Sequence, residues 1–300
     1  MKNMRFLLII FTITLIGCGS TPYRDDYAKH VNLIAGNHID KANFKFSFAK
    51  NTNVDLRGLY LQNNTADASP MMYQGGAGLI GLLVQIGTHS SLVESERNEK
   101  LTKEQEQANK KILPLISMSK EISLIDLIGD YSFQLVSQEN ADPDTINIKP
   151  IFFSNSGMTK LSLKSIVWLP LQEKSNSRKQ KLKYKNLIQV YSPKLTDSQS
   201  QKLIEGDSEY LSEVLSSLLK TALYITRNEL TGQYYKIKNP SHTFVIEDDS
   251  SIKVIRGTVV EEKCEYQIIQ DVHSWLIAYP KPEATSSTDY DFTTECYSTF

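Results

Sequence analysis

Two Ser-x-x-Lys pairs, Ser117-Met-Ser-Lys120 and Ser217-Leu-Leu-Lys220, come nearest to a reactive centre in this 300-residue chain. A lysine beside a serine can activate the hydroxyl as a nucleophile, but the site also needs a second polar motif and a Lys-Thr-Gly. Tyr184-Lys-Asn186 could serve as the second motif, yet no Lys-Thr-Gly follows, and Tyr184 falls on the apolar parity of a predicted strand. Both pairs are therefore read as chance matches in a chain rich in Ser and Lys. Gly-x-Ser-x-Gly, a Walker motif and Gly-x-Gly-x-x-Gly do not occur. The histidines at 30, 38, 89, 242 and 273 have no i, i+4 partner and no neighbouring cysteine pair, and His-Glu-x-x-His and EF-hand loops are missing too. Asp142-Pro-Asp144 and Glu247-Asp-Asp-Ser250 sit where turns belong. The expectation is no catalytic residue, no metal site and no cofactor.

Charge offers one further candidate. Lys174, Arg178, Lys179, Lys181, Lys183 and Lys185 fall within twelve residues, opposed mainly by Glu173. They are a candidate anion-binding run. Lysines at a hairpin edge also have a purely structural use, because they prevent strand-to-strand aggregation. The whole chain holds 33 basic and 34 acidic residues, a net charge of −1, so composition makes no case for nucleic acid as a partner.

The elements that must position these residues are legible from periodicity. Alternation predicts strands at 44–48, 54–62, 129–136, 146–153, 161–171, 181–191, 242–247, 252–262, 266–270 and 274–279. The first two are expected to pair with each other, and 161–171 with 181–191 as a long hairpin across the loop 172–180. In that hairpin Leu161, Leu163, Val167, Leu169 and Leu171 share one parity, as do Leu182, Tyr184, Ile188 and Val190. Apolar residues at 211, 214, 215, 218, 219, 222 and 223 predict an amphipathic helix over about 208–230, capped by Asp207 or Ser208 and closed by Gly232. A second helical region, about 77–112, begins glycine-rich and apolar at 75–89. It becomes strongly polar at 90–112, ends at Pro114 and reads as a solvated, partner-facing arm. Strands flanking two helical regions indicate an α+β fold with an antiparallel or mixed sheet. The body is expected over 41–280 as a single unit or two subdomains, with an irregular tail at 281–300.

Residues 1–17 predict an address. Lys2 and Arg5 flank an apolar run of eleven residues, Phe6 to Ile16, too short for a spanning helix, which needs roughly 20. The run ends in Leu15-Ile16-Gly17-Cys18, which resembles the lipobox of bacterial lipoproteins. The resemblance covers residues 1–20. It implies a signal peptide cleaved before Cys18, a diacylglycerol on the Cys18 thiol, and a new amino terminus acylated by a chain such as palmitate. Residues 18–40 then form the lipidated end and a tether. Gly19, where retained lipoproteins carry aspartate, implies anchoring in the cell outer membrane, with the body in the periplasm. Two or more acyl chains suffice for stable anchoring.

Export permits disulfides, and Cys264 and Cys296 remain as an even pair. Their bridge would tie down the tail and contribute about 3.5 kcal/mol in the loop-entropy model. The expected function is a non-enzymatic envelope lipoprotein that binds or scaffolds another envelope protein, its membrane contact made through Cys18. The alternative is a lipoprotein that binds a small ligand or lipid, with the glycine region 75–87 as a pocket wall. In either case the anionic partners open to the basic run are lipid headgroups, lipopolysaccharide phosphates or an acidic protein patch.

Overall fold

Alternating residues build most of the molecule into a sheet. The computed structural model describes residues 39–40, 43–49, 52–60, 99, 102–142, 144–170, 182–248 and 251–281. Nine strands are found among them: β1 (Phe46–Phe48), β2 (Leu56–Gly58), β3 (Ile146–Ser154), β4 (Leu161–Pro170), β5 (Leu182–Tyr191), β6 (Ser241–Asp248), β7 (Ser251–Lys263), β8 (Tyr266–Asp271) and β9 (Leu276–Pro280). They form one sheet in the order β1-β3-β4-β5-β9-β8-β7-β6, with β2 also on β3. The sheet is mixed and dominates the fold. β3, β4 and β5 form an antiparallel meander, β5 and β9 run parallel, and β9 to β6 is antiparallel again.

Helices occupy one face. They are α1 (102–111), α2 (Leu113–Ser119), α3 (Leu124–Leu127), α4 (Asp197–Glu205) and α5 (Ser208–Leu230). In α5 the predicted stripe Leu211, Val214, Leu215, Leu218, Leu219, Ala222 and Leu223 is buried, packed on β4 and β5. The Asp207 carboxylate accepts the Tyr210 N–H at 2.9 Å and so caps the helix, and Gly232 follows its end with φ +75°. Leu161, Leu163, Val167 and Leu169 of β4 meet this stripe, as do Tyr184, Ile188 and Val190 of β5. The chain joins this core early: the Ile39 N–H bonds the Leu230 carbonyl at the end of α5.

The other face carries a smaller cluster of Tyr191, Ile246, Ile255, Ile269 and Ile277, with Phe244, Val259 and Tyr279 packed against it. The β6–β7 hairpin curls over this face. At its end the Glu247 carbonyl accepts Lys160 Nζ at 3.0 Å, and the Glu247 N–H reaches the Tyr279 hydroxyl at 3.4 Å.

Two expectations are corrected. β1 and β2 do not pair with each other; both lie parallel along β3, Phe46 beside Ile146 and Leu56 beside Phe152. Nine residues of β3 give room for two three-residue strands in succession. The segment 129–136 is no strand but a 3-10 helix, Gly129–Gln134, with Leu135 left as a single bridge to Phe46. Tyr131 and Phe133 would share a face in a strand; here Tyr131 is 1% exposed and Phe133 72%. The polar helix ends at residue 111, close to the expected end at 112 ahead of Pro114, and Pro114 itself lies in the first turn of α2, where a missing N–H leaves no bond unmade.

The described part of that polar helix is also docked rather than free. β2 is an edge strand, and α1 covers it: Gln105 Nε2 donates to the Gly58 carbonyl at 2.9 Å, and the Gly58 N–H donates to Asn109 Oδ1 at 2.8 Å. A Cβ on Gly58 would lie 2.3 Å from the main chain of Ala108. Gly58→Ala is therefore expected to lower stability by roughly 1–3 kcal/mol, the usual range for overpacking, read as a lower urea midpoint at unchanged slope.

Candidate functional site

The polar groups that converge in this body lie under and beside the last turns of α5. Their position depends on a bulge in β7, where the register against β8 shifts between Val259 and Glu261. Strict alternation would put Val259 and Glu261 on one face. Val259 joins the far-face cluster and Val260 the main core, as alternation requires, but the extra residue turns Glu261 toward α5 as well. There the carboxylate accepts the Tyr224 hydroxyl at 2.5 Å, the Tyr234 hydroxyl at 2.6 Å and Asn228 Nδ2 at 3.4 Å. Asn228 Nδ2 also donates to the Tyr234 oxygen at 3.3 Å. Burial, then the bond to Glu261, pushes the Tyr224 phenol up to about 12. Tyr234 is raised well above its ordinary value, first by burial and then by the Glu261 charge. Both phenols therefore stay protonated and keep donating. Lys263 Nζ sits 4.0 Å above the Tyr224 ring.

A surface cleft of about 440 Å³ opens beside this network, lined by Ile237, Asn239, Pro240, His242, Val260 and Glu261, among others. Asn239 Nδ2 bonds the Val259 carbonyl at 2.8 Å and fixes one wall. Glu262 also lines the cleft and pairs with Lys281 at 3.2 Å.

A second acid lies deeper. Glu229, in the last turn of α5, is buried, and burial pushes its carboxyl up to about 7, with a bond from Asn186 pulling the other way. Asn186 stands on the core side of β5, just before the pairing with β9 begins at Ile188 and Leu276. It donates to the Ser274 carbonyl at 2.8 Å and accepts the Leu187 N–H at 2.8 Å. Ser274 holds φ +63° at this junction. Glu229 can thus exchange a proton near neutrality, but it lies within the packed core rather than in the cleft.

The residues singled out in the sequence are scattered. Tyr184 is fully buried in β5, while Lys183 and Lys185 project from the opposite face of the same strand, Lys183 exposed. Lys174, Arg178, Lys179, Lys181, Cys18, Cys296 and the region 75–87 lie outside the described residues. Cys264 is exposed in the turn between β7 and β8, with φ +51°. Ser117 and Lys120 are exposed around the end of α2. Ser217 and Lys220 lie half-buried on α5, with the Lys220 side chain against Gly129. His242 borders the cleft and His273 stacks near Trp275 at 5.2 Å. Among the described residues no group of three or more His, Cys, Asp or Glu could hold a metal ion. Glu261 and Glu229 were not singled out. The run Val259-Val-Glu-Glu262, two apolar residues then two acids inside an alternating strand, is the signal that marks the bulge.

No family model matches the chain, and neither a curated protein nor a solved structure does.

Glu229 generates a pH prediction. Unfolded, its carboxyl ionises near the ordinary 4.5; folded, near 7. Between these values the native state keeps a proton that the unfolded chain has released. The Glu229 contribution to stability is therefore full below about pH 4.5, is lost as pH rises through about 7, and is level above. The loss is on the order of 3 kcal/mol. Glu229→Gln should remove this slope and become more stable than wild type above pH 7, as urea titrations across the window would show. Parallel curves for the two proteins would contradict it.

Proposed function

We propose that the chain is a lipid-anchored envelope protein whose α+β body holds another envelope component and catalyses no reaction. One observation carries the reading: Leu15-Ile16-Gly17-Cys18 at the end of a short apolar run preceded by Lys2 and Arg5. Gly19 supports the outer membrane as its place. The body supports a holding role because the polar groups that converge on Glu261 bond one another rather than standing open to a substrate. The docked α1 presents Lys103, Glu106, Gln107, Lys110 and Lys111 outward, a mixed-charge face suited to a protein partner. Lys183 and Lys185, the described members of the basic run, lie on one face of β5 and supply an anion-binding part of the surface.

A bridge between Cys264 and Cys296 fits this reading. The Lys281 N–H bonds the Glu265 carbonyl at 2.7 Å, so the chain that leads to Cys296 departs beside the Cys264 turn. The second reading, a protein that binds a small ligand, is favoured by the 440 Å³ cleft at Asn239 and His242, a size suited to small molecules. Native mass spectrometry showing a retained ligand would favour it over protein binding.

Cys18→Ser tests the anchor. The wild type is expected in the outer-membrane fraction, carrying radiolabel from added palmitate, and the variant in the soluble fraction without label. A wild-type chain that is unlabelled and soluble would sink the proposal. Crosslinking in intact cells through a C-terminal tag should then capture one or two recurrent envelope proteins.

A further inference from the structure

β6 is the last strand of the sheet among the described residues, and a short stretch of its outer edge pairs with none of them. Along an antiparallel strand, alternate residues turn both main-chain groups toward or away from the neighbour. Glu247 turns outward, since its N–H and C=O meet Tyr279 and Lys160 rather than β7. Val245, Thr243 and Ser241 therefore turn outward as well. No described residue bonds their outward groups. The side chains behind this edge are apolar: Val245 is 55% exposed, Val254 directly opposite it on β7 is 63% exposed, and the diagonal Ile252 70%. Open main-chain groups backed by exposed β-branched residues are the physical signature of a strand that pairs with another chain.

We infer that β6 pairs antiparallel with β6 of a second copy, about a two-fold axis at Phe244. This register sets Thr243 against Val245 of the other copy at both ends, and it sets outward-turned Ser241 against Glu247, whose main-chain groups Tyr279 and Lys160 already hold. Four main-chain hydrogen bonds form, satisfying the outward groups of Thr243 and Val245 in both copies. Phe244 faces its own copy, an aromatic cross-strand pair. Val245, Val254 and Ile252 of each copy join across the axis into one apolar surface. His242 comes opposite Ile246, and Ser241 opposite Glu247, so no like charges are brought together. The Lys160–Glu247 contact then acts as an end stop that limits the pairing to these residues. The dimer does not depend on the lipid anchor.

Sedimentation velocity of the full chain in density-matched detergent tests this. A concentration-dependent monomer–dimer equilibrium is expected. Val245→Pro removes one outward N–H without touching the β6–β7 ladder, and should raise the dimer dissociation constant at least about tenfold. Val245→Lys sets a charge beside Thr243 of the other copy and should do the same. It decides the matter if Val245→Pro loses its native circular dichroism. A wild type that stays monomeric at every concentration overturns the inference, as does a dimer that a folded Val245 variant leaves unchanged.

Discussion

Three residue pairs, Ile188–Leu276, Gln189–Ile277 and Val190–Ala278, join the two antiparallel halves of the sheet. The parallel contact between β5 and β9 is short, and parallel ladders are slightly weaker per residue than antiparallel ones. Both faces of the junction are packed. On one, Ile188 and Val190 lie under the apolar stripe of α5. On the other, Tyr191 and Ile277 belong to the smaller cluster, with Tyr191 and Tyr279 in edge-to-face contact at 5.7 Å. Burial across the junction, more than its hydrogen bonds, keeps the halves in one sheet. The long β5-to-β9 connection carries α4 and α5, and α5 packs across β4 and β5 beside the short parallel ladder.

The polar side chains of the body mostly solve problems that the sheet creates. Gln105 and Asn109 satisfy the edge of β2, Lys160 and Tyr279 that of β6 at Glu247, and Asn186 fills the place where β5 and β9 have not yet begun to pair. Glu261 binds the end of α5 to β7 through two phenols that cannot ionise near neutrality. The exception is Glu229. It is buried against Asn186 with no cation among the groups that shift it, and so holds its proton far more tightly than an exposed carboxyl would.

How much of this could be read in the sequence depended on whether a residue's surroundings are local. The α5 stripe and the parity of β4 and β5 were legible, because each is fixed by a period within one element. The cap at Asp207 was legible for the same reason. Partners were not. Nothing in Phe46–Phe48 or Leu56–Gly58 indicates that both would choose β3, and the polarity of Gln105 and Asn109 suggested solvent when their amides face a strand edge. Tyr131 and Phe133 imitate strand alternation but are set on opposite sides by a 3-10 turn after Gly129. The Glu261 site was hidden by one unpaired residue, since alternation read straight through β7 assigns that carboxylate to the wrong face.

That inserted residue has a consequence for how the protein comes apart. Alternation already gives Ile255 and Val259 to one cluster and Val260 to the other, and the inserted residue adds Glu261 to the side of Val260. A hairpin at the edge of a sheet is ordinarily the first part to open on its own. Here the same strand is also bolted to α5 through Glu261, so the base of the hairpin cannot peel away without exposing Val260 and stripping two tyrosines of their acceptor. The two clusters are thereby made into one cooperative unit. Amide exchange at the base of β7 is expected to slow toward the rate of global unfolding.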